Sequence, residues 1–153
     1  MNNSCGVYTL TGASIPPDVK TAEIPYFQNR ASVVQPMLSR ELTEKLKDKI
    51  QSQTDLKLVN TSGDVVFEGE ISSYNVSAAA ITGENLAAKN RLTITVKVKF
   101  TNKKDSKLDF DTSFSRFEDF DSNTSVDAVE AELIDNIGDQ LVEDIFNKAF
   151  VNW

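Results

Sequence analysis

Residues 90–100 read "NRLTITVKVKF". Leu92, Ile94, Val96, Val98 and Phe100 alternate with Arg91, Thr93, Thr95, Lys97 and Lys99. Side chains of a strand point to opposite faces in turn, so this stretch predicts a strand with one apolar and one polar side. The next seven residues, "TNKKDSK", read as a turn. "LDFDTSFSRF" (108–117) reads as the returning strand, with Leu108, Phe110 and Phe114 on the buried side and Asp109 and Asp111 opposite. Both apolar sets are even-numbered, so paired positions must have an even sum. The expected pairs are Phe100 with Leu108, Val98 with Phe110 and Ile94 with Phe114. Lys99 and Lys97 would then face Asp109 and Asp111.

The elements on either side supply the layer that covers the apolar face. "VVQPMLSRELTEKLKDKIQSQ" (33–53) reads as a helix with Pro36 in its first turn and a stripe of Val34, Leu38, Leu42, Leu46 and Ile50. Residues 125–150 read as a second helix, opened by a Thr124/Asp127 capping box. Its stripe is Val126, Val129, Leu133, Ile137, Leu141 and Ile145, widened by Ile134, Val142, Phe146 and Phe150. Gly138 within it reads as a close helix–sheet contact. Val19–Phe27 reads as a strand with Ala22, Ile24 and Tyr26 on one face, lying at an edge or ending at Pro25. Residues 55–76 read as two strands around Thr61-Ser62-Gly63-Asp64, and 77–89 as a long, mobile loop. The expected fold is an α+β two-layer sandwich: a mostly antiparallel sheet of four to five strands with two helices on one face. The helix between strands 19–27 and 55–60 points to a right-handed crossover.

At 153 residues the chain is sized for one domain, and its 40% apolar and 25% charged residues are ordinary for a globular fold. No stretch approaches the ~18–20 apolar residues of a membrane span. A net charge of −7 argues against a nucleic-acid partner. One cysteine excludes an internal disulfide and a cysteine metal cage; zero histidine removes the commonest catalytic base. Both counts weigh against an enzyme, and no cofactor is expected.

Three constellations carry candidate chemistry. Glu68/Glu70, Asp109/Asp111 and Asp119/Asp121 pair acids on the same strand face, which reads as a solvated surface rather than an acid–base couple. Asp119, Asp121, Asn123, Ser125, Asp127 and Glu130 fall at the ligand spacings of a calcium loop, but Thr124 stands where such a loop needs glycine; helix capping is the reading and no metal site is assigned. Lys89, Arg91, Lys97, Lys99, Lys103, Lys104 and Lys107 crowd one region of an acidic chain. They read either as an anion-binding edge or as charges that keep exposed strands from pairing with other molecules. For ligand binding the candidates are Lys103, Lys104 and Lys107 in the turn and Arg91 at the far end of the strand. About ten strand residues span roughly 33 Å, so only one end can hold a compact anion.

The run "CGVYTLTGASIPPDVKTAEIPYFQNRA" from Cys5 resembles the start of mature lipopolysaccharide-assembly lipoproteins of the LptE family, in the form found in Bacteroidetes. The likeness continues through "LTEKLKDKIQSQTDLKLVN", "GDVVFEGEISSYNVS", "NRLTITVKVKFTNKKD", "FSRFEDFDS" and "QLVEDIFNKAFVNW". It implies that Cys5 is the lipidated first residue, carrying acyl chains that anchor the protein far more firmly than a single chain would. Residues 1–4 then read as a leader remnant without a lipobox, 5–153 as a single domain, 5–18 as its tether and 19–153 as its globular part. The resemblance also implies a site on the periplasmic face of the outer membrane, and the lack of an acidic tract after Cys5 fits that leaflet. Its implied partners are the LptD-type β-barrel that inserts lipopolysaccharide, which such lipoproteins bind and plug, and in some members lipopolysaccharide itself. A periplasmic lipoprotein that scaffolds another envelope complex is the alternative. No catalytic residue is implied.

Overall fold

A computed structural model of the protein describes residues 7–8, 13–79 and 88–151. In chain order these form β1 (Val7–Tyr8), β2 (Ser14–Ile15), β3 (Thr21–Glu23), β4 (Gln28–Asn29), α1 (Pro36–Gln53), β5 (Lys57–Val59), β6 (Val65–Ala78), β7 (Lys89–Asn102), β8 (Phe110–Asp121) and α2 (Val126–Phe150). The short β1 and β2 pair with each other. The main sheet runs β5-β3-β6-β7-β8, with β4 pairing β6 beyond the end of β3. The fold is α+β, and the long pairings, β6 with β7 and β7 with β8, are antiparallel.

β7 organises this sheet. Leu92, Ile94, Val96 and Val98 have no solvent exposure and Phe100 has 1%. They face the helices, and the odd-numbered side chains face outward. Phe67 and Phe100 meet at 4.8 Å between ring centroids, and Phe150 of α2 closes edge-on over both at 5.9 and 6.0 Å. On β6 the covered residues begin at odd positions (Phe67, Gly69, Ile71) and continue at even ones (Tyr74). A β-bulge between Ile71 and Ser73 makes the change.

α1 starts at Pro36, where its missing N–H matters least, and Gln35 caps it by accepting from Met37 N. Leu38, Leu42, Leu46 and Ile50 are fully buried, as their spacing predicts. Val34 is not part of that stripe: it precedes the helix and is 63% exposed. α1 and α2 pack together, and Gly138 belongs to that contact rather than to a helix–sheet one. A Cβ at Gly138 would stand 3.0 Å from Lys45 Cδ. The bare backbone lets the Lys45 stem cross α2, and its ammonium then sits 2.7 Å from both Asp135 and Asp139, one turn apart. Lys49 repeats the contact with Glu143 at 2.6 Å.

Several expectations shift. The register between β7 and β8 has an even sum, so the faces match, but Phe100 pairs with Phe110, Val98 with Thr112, Val96 with Phe114 and Lys99 with Asp111. Each partner lies two residues further along than expected. The cause is the turn: Ser106–Leu108 winds into a 3₁₀ segment, so Leu108 and Asp109 belong to the turn and not to the strand. Lys97 still reaches Asp111 diagonally at 3.8 Å. The first strand ends at Glu23, and Pro25 interrupts the ladder before β4 resumes. It is not an edge, because β5 and β6 flank it in parallel. Tyr26 is 53% exposed and Phe27 is the buried aromatic, its N–H donating to Thr43 Oγ1 at 3.0 Å. β5 and β6 therefore do not pair with each other across 60–64. β3 and β5, joined through α1, pair in parallel, as a crossover connection requires. Of the segment read as a loop, 77–79 and 88–89 continue the ladder to Ala79 N donating to Lys89 O; 80–87 lie outside the described residues.

Leu133 and Ile137 are 5% and 0% exposed in the middle of α2. Replacing either by Ala should lower the unfolding free energy by roughly 2–5 kcal/mol in chemical denaturation. Gly69 is a second sensitive position. A Cβ there would fall 2.4 Å from the Phe27 ring. Gly69→Ala should cost roughly 1–3 kcal/mol by displacing Phe27, read as a lowered denaturation midpoint with unchanged slope.

Candidate functional site

The lysine-bearing turn after β7 is built from the inside out. Asn102, 3% exposed, closes the strand. Its Oδ1 accepts from Lys104 N at 2.9 Å and Asp105 N at 3.0 Å, and its own N–H donates to Asp109 Oδ1 at 2.7 Å. Asp105 Oδ1 accepts from Lys107 N at 3.1 Å. Asn and Asp are suited to this, because short polar side chains can satisfy backbone groups two or three residues away.

A second loop braces the first. Lys103 N donates to the Asp64 carbonyl at 2.8 Å. The Asp64 carboxylate accepts from Lys20 N at 2.8 Å and Thr21 N at 3.2 Å, and its backbone N–H donates to Thr21 Oγ1 at 2.8 Å. Those backbone hydrogen bonds, from Lys20 first, hold the Asp64 carboxyl below the usual carboxylate range. The 60–64 loop needs tight geometry: Ser62 has φ 59°, and Gly63 lies where a Cβ would be 2.7 Å from Glu23. β3, the 60–64 loop and the 102–109 turn thus form one end of the sheet.

The acids at this end accept backbone N–H bonds, and the lysines project outward. Lys103, Lys104 and Lys107 are all exposed. Lys104 lies 3.9 Å from Asp64. Among the described residues, Lys103 and Lys107 have no acidic group within ion-pair distance. Lys20 is also exposed beside them, with its backbone anchored to Asp64. Sequence reasoning missed Lys20 and Asp64, since both come from distant parts of the chain.

Arg91 is set apart. Its Nε donates to Asp119 Oδ1 at 2.7 Å and its Nη2 to Asp119 Oδ2 at 3.1 Å, and the guanidinium lies 3.8 Å over the Phe117 ring. The hydrogen bonds raise the Arg91 pKa and lower that of Asp119. Lys89 pairs with Asp121 at 2.8 Å. Arg91 and Lys103, twelve strand residues apart, are separated by about 40 Å. The structure brings the three turn lysines together and leaves Arg91 at the opposite end. Lys97 and Lys99 sit in mid-sheet beside a 260 Å³ cleft lined also by Gln28, Glu68, Gly69, Glu70 and Asp111.

The acids of the calcium-like spacing diverge. Asp119 and Asp121 engage Arg91 and Lys89. Ser125, not Thr124, caps α2 by accepting from Asp127 N, and Glu130 accepts the Tyr74 hydroxyl hydrogen bond. No group of three or more metal-ligating side chains forms among the described residues. Of the acid pairs, Glu70 faces Arg30 at 3.7 Å, and Asp109 leaves its strand for the turn. Cys5 lies outside the described residues. No helix of the described residues is long and apolar enough to cross a membrane.

Comparison with known proteins bears on the whole fold. The family model described as "LptE: Lipopolysaccharide-assembly" matches residues 19–149. No curated protein matches the chain significantly. Among solved structures, a minor lipoprotein from Acinetobacter baumannii is similar with a TM-score of 0.54 at 13% identity, covering 84% of this chain and 91% of its own. A hypothetical protein from Chlamydia trachomatis gives 0.57 at 9% identity, covering 86% and 98%. An uncharacterized lipoprotein B from Nitrosomonas europaea gives 0.51 at 14% identity, covering 84% and 80%. At these identities the likeness is one of fold.

Calcium should not stabilise the protein. Thermal melts in millimolar calcium and in chelator are expected to coincide; an upward shift with calcium would assign a site to Asp119–Glu130.

Proposed function

This chain belongs to the LptE family of lipopolysaccharide-assembly proteins, and from that premise we propose that it is the lipoprotein subunit that binds and plugs an LptD-type β-barrel in the outer membrane. A role in lipopolysaccharide assembly follows from the family. The finer reading adds five parts. Cys5 carries the lipid anchor, residues 5–18 tether the domain at residues 19–153, and the protein works on the periplasmic face. The domain sits against the lumen of the barrel. The turn at one end of the sheet contacts the anionic phosphates of lipopolysaccharide in passage. The reading assigns no catalytic residue or cofactor.

The observation that carries the ligand contact is the arrangement of the 102–109 turn. Asn102, Asp105, Asp109 and Asp64 fix its backbone, so that Lys103, Lys104 and Lys107 extend from an anchored base. Lysine ammoniums on flexible stems suit a ligand that is bound and then passed on, because each contact is weak and exposed. Arg91 is a poorer candidate, since its guanidinium fork is already occupied by Asp119.

Two experiments test this. Charge reversal of Lys103, Lys104 and Lys107 together should weaken lipopolysaccharide binding by roughly 3- to 100-fold at low salt and flatten its salt dependence. Unchanged binding would move the ligand elsewhere. Loss on changing Arg91 alone would move it to the other end of β7. Co-purification of the lipid-anchored protein from its own outer membrane should bring down the barrel; recovery with a different envelope complex would make it a scaffold there.

A further inference from the structure

The last strand of the sheet has an unpaired long edge. β8 pairs only with β7 among the described residues, through twelve consecutive positions without a bulge. Ser122 N donates to the Ala88 carbonyl at 3.2 Å. Antiparallel pairs alternate between bonded and non-bonded, so the even residues of β8 bond to β7. The N–H and C=O groups of Asp111, Ser113, Ser115, Phe117 and Asp119 therefore point out of the sheet edge, and all five residues are exposed.

Such edges are normally blunted by charged side chains, lysine above all, by proline or by a bulge; the one basic residue of β8, Arg116, is drawn onto Asp144 of α2. β8, "FDTSFSRFEDFD", has no lysine or proline, and Ser113 and Ser115 leave its middle small. The lysines that could protect an edge, Lys97 and Lys99, lie on the interior strand β7. Charge then indicates the occupant. Of the chain's 23 acidic and 16 basic side chains, residues 110–153 hold 11 and 2, a net charge of −9, whereas residues 1–109 carry +2. Seven of these acids are matched: Asp111 by Lys97, Asp119 by Arg91, Asp121 by Lys89, Asp144 by Arg116, Asp135 and Asp139 by Lys45, and Glu143 by Lys49. Glu118, on β8 itself, has no cationic partner among the described residues; its Oε1 accepts from Asn136 Nδ2 at 3.1 Å.

We propose that the β8 edge is a docking site for an extended, lysine- or arginine-bearing segment of another protein, which adds to the sheet as a further strand. Its backbone would bond to the five outward-facing residues, and its side chains would meet Glu118 on the helix side of the sheet or Asp111 and Asp119 on the other. A second copy of this chain is disfavoured, because two β8 strands, each with four acids and one arginine, would be brought together. This inference is independent of the lysine turn and of the barrel assignment.

The test uses a blocked ten-residue peptide of alternating lysine and threonine, its glutamate counterpart, and the lysine peptide N-methylated at every second residue. Binding is followed by fluorescence anisotropy, and amide hydrogen exchange is read residue by residue. The lysine peptide should bind and slow exchange at Ser113, Ser115 and Phe117. The glutamate peptide should not bind, and N-methylation on the bonding side should weaken binding by about tenfold or more. Glu118→Lys should weaken it by about two- to fivefold. Ser115→Pro removes an outward N–H that β7 does not use, and should abolish binding with little change in melting. If that variant does not fold, the N-methylated peptide on the unaltered protein decides. Equal binding of the methylated peptide would overturn the proposal in favour of simple ionic attraction. So would absence of binding, or binding without protection at those amides. Dimerisation without peptide that protects the same amides would assign the edge to a second copy.

Discussion

The alternation of β7 is the constraint on which the rest of the structure depends. Its five even-numbered apolar residues must leave water together, and at roughly 25 cal/mol per Å² their burial is a leading contribution to the core. Burying them requires a strand on each side and helices beneath. It also commits the odd residues to the opposite face. Arg91, Lys97 and Lys99 are thereby placed against Asp119 and Asp111 of β8 and Glu70 and Glu68 of β6. The polar face is charge-balanced across strands as a consequence of where the apolar face had to go.

The two helices meet that sheet differently. α2 lies over β7 and β8, with Phe146 and Phe150 in the aromatic cluster and Arg116 tied to Asp144. α1 lies towards β4 and β5 and is joined to α2 by Lys45 and Lys49. The carboxylates of that clamp are more than half exposed, so each pair stabilises by only about 0.2–1 kcal/mol. Its larger effect is positional. Gly138 gives the Lys45 stem a groove, and the paired acids at 135 and 139 hold it there, so the two helices have a defined lateral register.

The ends of the sheet are unlike in chemistry. At one, Asp64, Asp105 and Asp109 accept backbone N–H groups and leave lysines outward. At the other, Arg91 and Lys89 are paired with Asp119 and Asp121. Identical residue types thus have different availability, because in one case the acid is engaged by the main chain and in the other by the base. The proposed contact with lipopolysaccharide would draw on the first end, and the proposed peptide strand on the side edge of β8.

Which residues face inward was legible in the sequence. Period two in 90–100 and 110–117, and period near four in 38–50 and 133–150, each express the geometry of one element. The fold class, the covered face and the buried residues of both helices follow from those local patterns. The Cys5 run and the motifs after it carried the family. The tertiary structure alone decided how elements meet. The β7–β8 partners moved by two residues because Asn102 and Asp109 close a 3₁₀ turn that consumes Leu108. β3 inserted between β5 and β6, although 55–76 reads locally as a pair of neighbouring strands. Val34 and Tyr26 fell outside the core, because a proline fixed where α1 begins and another ended β3. Asp64 became the brace of the lysine turn through bonds to residues about forty positions away on either side. A periodicity is set by neighbours along the chain, whereas register, strand order and the partner of a carboxylate are set by contacts that exist only once distant segments have come together.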